Sequence, residues 1–239
     1  MVALDGLSDT VELKRSPRRS VECPGIAPQE NLAWHALDRL EERVGRALPC
    51  AVHITKRIPA QAGLGGGSSD AASTLILADT VFGLGLSPDE LEEVAARVGS
   101  DVPFFIRAGA QWAAGRGEVL RPATAPEFHA LIVVPAVGLS TRDVYRAFDE
   151  LPVPPDTDPA DPPSFPGILR NDLWPAALRC HAALADLDAA LRDAGARQTL
   201  LCGSGTAMAG FFPDAGAARR AQGAFTGTTT AVVRPLAVP

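Results

Sequence analysis

The sequence predicts a mixed fold, of the α/β or α+β class. Short apolar runs at 51–58, 131–134 and 229–233 read as strands, the first by its alternation and the second as a buried strand. Stripes of Leu, Val and Ala at helical spacing lie between them, and clusters of glycine and proline separate the two kinds of segment. The 239 residues suffice for one large domain or two smaller ones, and 46% apolar content is ordinary for a globular chain. A formal charge of −6 argues against a nucleic-acid partner, whose footprint is basic; Arg15, Arg18 and Arg19 read as a solvated turn. The four cysteines show no C-x-x-C spacing, and the four histidines are as scattered, so reduced thiols and no cysteine–histidine metal site are expected. With no signal peptide and no membrane-length apolar run, the expectation is a cytoplasmic protein without a membrane partner.

Taken in order, residues 2–13 are strand-like. Asn31 is placed to cap a helix running to about Val44, with Leu32, Ala36, Leu37 and Leu40 on one stripe. Residues 45–49 break it, and 51–58 form the strand that delivers a glycine loop. After the next helix, Gly83-Leu-Gly85 is a turn. Ser87-Pro-Asp-Glu90 is then a helix start with Ser at the N-cap, Pro at N1 and Glu at N3, a capping box. Leu91, Val94, Ala95 and Val98 give its buried face. Asp101 falls in a turn before an apolar run, and Gly115-Arg-Gly-Glu118 is a second turn. Ser140-Thr141 precedes a helix carrying Val144 and Phe148. From 152 to 166 seven of fifteen residues are proline, which predicts an extended connection. Asn171-Asp172 opens helical material, Leu184, Leu187 and Leu191 stripe another helix, and a strand at 199–202 leads into the turn Gly203-Ser-Gly-Thr206. A strand at 207–212, a helix near 215–225 and the last strand finish the chain.

The loop between strand and helix, Pro59-Ala-Gln-Ala-Gly-Leu-Gly-Gly-Gly-Ser-Ser-Asp70, is the stretch with a chemical reading. Glycines let a backbone approach a ligand closely, and a following helix contributes unpaired N–H groups and a positive dipole end, a combination suited to phosphate. It is not a P-loop, because no lysine follows Gly67, and it is not a dinucleotide fingerprint, because Gly63-Leu-Gly65-Gly-Gly-Ser68 ends in serine. The protein-kinase motifs V-A-I-K and H-R-D are absent as well.

The same loop resembles the P-x-x-x-G-L-G-S-S-A-A motif of the GHMP small-molecule kinases. Its triple-glycine form, preceded by Lys56-Arg-Ile-Pro59, resembles the branch that phosphorylates 4-diphosphocytidyl-2-C-methyl-D-erythritol. Gly99-Ser-Asp-Val-Pro-Phe-Phe105, Gly115-Arg-Gly-Glu118, Asn171-Asp172-Leu173 and Gly203-Ser-Gly-Thr206 follow in the order of that family. The resemblance implies an α+β, two-domain architecture: an ATP-binding half over 1–125 like ribosomal S5 domain 2, and a ferredoxin-like half over 126–239. It implies transfer of the ATP γ-phosphate to the 2-hydroxyl of the substrate, with Mg²⁺, by a monomer or weak homodimer.

Site residues carry over position by position. Pro59, Ala60, Gln61, Ala62, Gly63, Leu64, Gly65, Gly66, Gly67, Ser68 and Ser69 match the ATP-binding motif. Ser68 or Ser69 could bond a phosphate oxygen or Mg²⁺, or merely cap the helix. By similarity Asp101 is the catalytic base. Lys56 is a candidate nucleotide contact or a solvated strand-end lysine. The turn of Gly203, Ser204 and Gly205 resembles the third family motif, while Ser140, Thr141, Asn171 and Asp172 are candidate substrate contacts. Other GHMP kinases, and a nucleotide-binding protein without catalysis, remain alternatives.

The family's opening strand, with its Pro-Ala-Lys-hydrophobic-Asn motif, and the Tyr-His pair after it find no match here. Val2-Ala-Leu-Asp-Gly-Leu7 resembles the segment that follows them. Lys14 and Lys56, the only lysines, stand in no matching motif. The expectation is a start placed too late or a chain deliberately shortened, either simpler than an evolved loss, with this form weakly active or inactive and an upstream-extended form active.

Overall fold

The computed structural model describes residues 1–152 and 169–236, apart from 116, 118 and 126. Nearly all of the proline-rich stretch, and Arg116 and Glu118 of the second turn, therefore lie outside the described residues. In chain order the elements are β1 (Leu4–Asp5), β2 (Thr10–Arg15), β3 (Ser20–Glu22), α1 (Leu32–Val44), β4 (Cys50–Thr55), α2 (Gly66–Phe82), α3 (Pro88–Ala96), α4 (Val102–Arg107), β5 (Ala110–Ala114), β6 (Val119–Ala123), β7 (His129–Val134), α5 (Thr141–Asp149), α6 (Trp174–Cys180), α7 (Leu184–Asp193), β8 (Gln198–Leu201), β9 (Met208–Phe212), α8 (Ala215–Gln222) and β10 (Thr229–Pro235).

Helix starts follow local chemistry. Asn31 accepts from the Ala33 N–H at 2.9 Å to open α1, and Gly45 closes it in the left-handed conformation at φ +69°. The capping box at Ser87 and Glu90 is complete, and Ser140 caps α5. The stripe of α1 buries Ala33, Ala36, Leu37 and Leu40 against α2 and the small sheet.

Three sheets form. β2 and β3 flank β4, antiparallel and parallel respectively, and carry α1–α4 over a core of Leu37, Leu40, Val52, Ile54, Leu75 and Phe105. β5 and β6 make an antiparallel ribbon. The largest sheet is antiparallel, in the order β1-β10-β7-β9-β8. Its central strand β7 is buried over residues 130–134, as a continuous apolar run requires, because both faces are covered. Leu131, Val133, Met208 and Phe212 face the helices α5–α8, while Ala130, Ile132, Ala209 and Phe211 face the other way. On that second face they meet Ala62 and Leu64 of the glycine loop. The loop is thus anchored by apolar plugs in the large sheet before it enters α2.

Four local expectations shift. β4 ends at Thr55 rather than at Ile58, which is buried in the approach to the loop. α2 begins at Gly66, inside the glycine run rather than after it: packing of α2 on α1 and α4 overrides the poor helix propensity of glycine. The apolar run after Asp101 coils into α4, a helix of six residues, too short for periodicity to register. The strand-like opening also divides, β1 pairing with β10 and β2 with β4.

Candidate active site

The phosphate-loop candidate ends in a helix with no side-chain cap. Gly65, at φ +69°, is the N-cap of α2, and the first protein-bonded amide is that of Ser69, donating to the Gly65 carbonyl at 2.9 Å. Among the described residues the N–H groups of Gly66, Gly67 and Ser68 have no partner. Neither Ser68 nor Ser69 caps the helix. What remains is a set of unpaired donors at the positive end of a 17-residue helix, fitted to phosphate oxygens.

The approach is tightly set. A side chain at Gly63, φ +76°, would bring its Cβ to 2.0 Å from the Cys202 carbonyl oxygen, and one at Gly65 would meet the Phe105 ring at 2.9 Å. Gln61 takes φ +56°, a conformation that non-glycine residues adopt rarely and that clusters at ligand loops. A cavity of ≈ 200 Å³ opens beside Pro59 and Ala60, with Gly138, Thr206 and Thr228 on its other walls. A larger one of ≈ 690 Å³, between Asp89, Arg107, Gln111 and Pro122, includes none of the predicted site residues.

Asp101 stands at the N-cap of α4 without bonding to that helix. Phe105, one turn further on the same face, is the residue that abuts Gly65, so α4 carries Asp101 to the neighbourhood of the loop. The Gly117 backbone packs beside its carboxylate, 3.5 Å separating Oδ1 from the place a Cβ would take. Desolvation by the surrounding protein raises the Asp101 pKa above the ordinary carboxylate value, although the residue is still reached by solvent.

The second glycine turn packs directly on the first. Gly203, at φ +53°, would place a Cβ 2.9 Å from the Gly63 carbonyl oxygen. Asn171 donates its side-chain amide to the carbonyls of Leu201 and Gly203 at 2.8 and 2.7 Å, and its own carbonyl accepts from Leu173 N–H. The Thr141 and Ser204 hydroxyls lie 2.9 Å apart, and Gly205 N–H donates to the Cys202 carbonyl. Burial pushes the Cys202 thiol up to about 12, leaving it inert. Thr141, Asn171, Gly203, Ser204 and Gly205 are therefore brought together around one turn. Ser140 serves as the N-cap of α5, and Asp172 pairs at the surface with Arg170.

Lys56 is neither solvated nor free. Its ammonium lies 2.5 Å from Asp9 Oδ2 and 2.8 Å from Asp70 Oδ2, with side-chain exposures of 16%, 1% and 4% for Lys56, Asp9 and Asp70. Burial alone would lower the lysine, but the two carboxylates outweigh it and its pKa rises. For Asp70 burial dominates over the opposing pull of Lys56, and its pKa rises to about 6. Both directions hold together because two carboxylates stabilise one ammonium, while that single ammonium does not offset the burial of Asp70. Asp9 and Asp70 carried no signal in sequence, standing 47 residues before and 14 after Lys56.

The model for the GHMP kinases N terminal domain matches residues 31–109, which include α1, the glycine loop and Asp101. The 4-diphosphocytidyl-2-C-methyl-D-erythritol kinase of Synechococcus sp. (strain JA-2-3B'a(2-13)) is 38% identical over 231 residues, 87% of this chain and 74% of its own. This chain belongs to that family of GHMP kinases. A crystal structure of 4-(cytidine 5'-diphospho)-2C-methyl-D-erythritol kinase superposes with a TM-score of 0.79 at 28% identity, covering 98% of this chain and 90% of the other. The homoserine kinase of Cytophaga hutchinsonii ATCC 33406 reaches a TM-score of 0.75 at 19% identity, covering 98% and 88%, and shares the α+β kinase fold. Among the described residues no helix is long and apolar enough to cross a membrane.

Proposed function

We propose that this family member transfers the γ-phosphoryl group of ATP to the 2-hydroxyl of 4-diphosphocytidyl-2-C-methyl-D-erythritol, a step of the non-mevalonate isoprenoid route, in the cytoplasm. The observation that carries the reading is the unpaired amide set of Gly66, Gly67 and Ser68 at the head of α2, with Asp101 delivered to the same neighbourhood by α4. Phosphoryl transfer asks a protein mainly for positioning and charge stabilisation, and a glycine-lined helix N-terminus supplies both. The loop amides would hold the β- and γ-phosphates, and Ser68 or Ser69 would meet a phosphate oxygen or the Mg²⁺ that accompanies the nucleotide, whose charge would offset that of the phosphates. Asp101 accepts the proton of the substrate hydroxyl as its oxygen bonds to the γ-phosphorus; the bond from that phosphorus to the bridging oxygen breaks and ADP leaves. The family relationship supports the acceptor, and the likeness to homoserine kinase supports the fold alone. Residues 1–125 and 126–239 are proposed as the two domains, with the turn at Gly203 reaching back from the second to shape the first.

A coupled ADP-release assay tests the reading, offering 4-diphosphocytidyl-2-C-methyl-D-erythritol, homoserine and mevalonate in parallel. Turnover confined to the first supports it, and turnover only with another alcohol overturns it. The rate is expected to be low, because Asp101 has no cationic partner among the described residues and Lys56 is held by its carboxylates.

A further inference from the structure

We propose that the buried triad of Asp9, Lys56 and Asp70 is a brace that sets the first turns of α2 against the segment before the glycine loop, making Lys56 and Asp70 positioning residues for the nucleotide. The inference rests on the kinase reading above. Asp9, just ahead of β2, grips the segment after β4 at three points: its Oδ1 accepts from the N–H of Arg57 at 2.6 Å and of Ile58 at 2.8 Å, and its Oδ2 from Lys56 Nζ at 2.5 Å. Lys56 then reaches across to Asp70 in α2 at 2.8 Å. Gly66 closes the stack: a Cβ there would stand 2.9 Å from Ile58 Cγ2 and 3.2 Å from Lys56 Nζ. The backbone of Gly66, whose amide is one of the three without a partner, therefore packs closely on the brace. Through this chain of contacts the strand β2, the loop approach and the helix head hold one register.

Stability alone is a poor account of the arrangement. Two carboxylates and one ammonium are taken out of water together, and such clusters bring little net stability compared with apolar packing. Asp70 Oδ1 is buried without a hydrogen-bond partner among the described residues, a further cost. A buried polar network does confer one fixed geometry, and fixed geometry is what a row of backbone donors needs to meet phosphate oxygens. Lys56 thus acts on the nucleotide through the loop, two of its three ammonium donors being held by Asp9 and Asp70.

The test is calorimetric affinity of the full chain for MgATP and, separately, for 4-diphosphocytidyl-2-C-methyl-D-erythritol, with thermal melting as a check of folding. Asp70→Ala leaves Lys56 paired one-to-one with Asp9 but unties α2; it is expected to weaken MgATP about ten-fold and leave the acceptor within about two-fold. Asp70→Asn, which keeps the shape and an acceptor oxygen, is expected to recover MgATP affinity to within about three-fold of wild type. If Asp70→Ala does not fold, the double variant Lys56→Met/Asp70→Asn, which removes one charge of each sign, is read instead and is expected to show the same ten-fold loss. Unchanged MgATP affinity in a folded, untied variant overturns the brace alone, as does equal weakening of both ligands. Absence of MgATP binding in wild type overturns the kinase reading and the brace with it.

Discussion

The chain contains two glycine turns in contact with each other, and they are built to opposite ends. At the head of α2 the amides of Gly66, Gly67 and Ser68 have no protein partner, and nothing caps the helix. At Gly203–Thr206 the polar groups are answered from within. Asn171 takes two carbonyls, Thr141 meets Ser204, Gly205 N–H finds Cys202, and Ser204 and Thr206 are buried. Glycine content alone does not distinguish a ligand loop from a packing turn; donors left without partners do. The saturated turn serves the open one, because Gly63 and Gly203 approach so closely that neither tolerates a side chain.

The contrast can be probed from its largest consequence downward. Asp101→Asn disturbs neither turn, so folding and MgATP affinity stay at wild-type levels while turnover falls about 10²–10⁴-fold, the range for a lost general base. The same substitution removes the low-pH limb of the rate profile. Desolvation raises the Asp101 pKa above its ordinary 3.8, so wild-type turnover rises with pH as the carboxylate ionises, and the variant's does not. Gly63→Ala strikes the contact between the turns: with φ +76° and a Cβ aimed at the Cys202 carbonyl, it should cost about 3 kcal/mol, read from denaturant unfolding. Asn171→Ala leaves the carbonyls of Leu201 and Gly203 without their donor, an expected loss of about 2 kcal/mol in the same measurement, with MgATP affinity reduced only as far as the first turn shifts.

Local chemistry was legible in the sequence, and long-range partnership was not. The capping box at Ser87, the Asn31 cap and most of the α1 stripe are decided within a few residues of each other, and each stands where patterning put it. The glycine loop stood out by composition as the phosphate-site candidate, yet its helix begins at Gly66 because tertiary packing outweighs propensity. That Asp101 lies near the loop depends on Phe105 meeting Gly65, a contact between segments 40 residues apart in the numbering. The triad around Lys56 was invisible for the same reason: a single lysine at a strand end looks solvated until Asp9 and Asp70 are folded onto it. Asn171, a candidate substrate contact by resemblance, has its amide engaged by two backbone carbonyls, which only the packed turn could reveal.

Gly67 offers the most direct test of the claim that the open turn is reserved for a ligand. It is exposed, and a Cβ there would meet only Leu32 Cδ1, at 3.7 Å, so the protein itself has room for alanine. Gly67→Ala should leave the melting temperature unchanged or raise it, since alanine gains up to about 1 kcal/mol over glycine inside a helix. If phosphate rests on that backbone, the same methyl group intrudes on it, and calorimetric MgATP affinity should fall about ten-fold or more, equivalent to about 1.4 kcal/mol. A folded Gly67→Ala chain that binds MgATP as tightly as wild type would contradict the account.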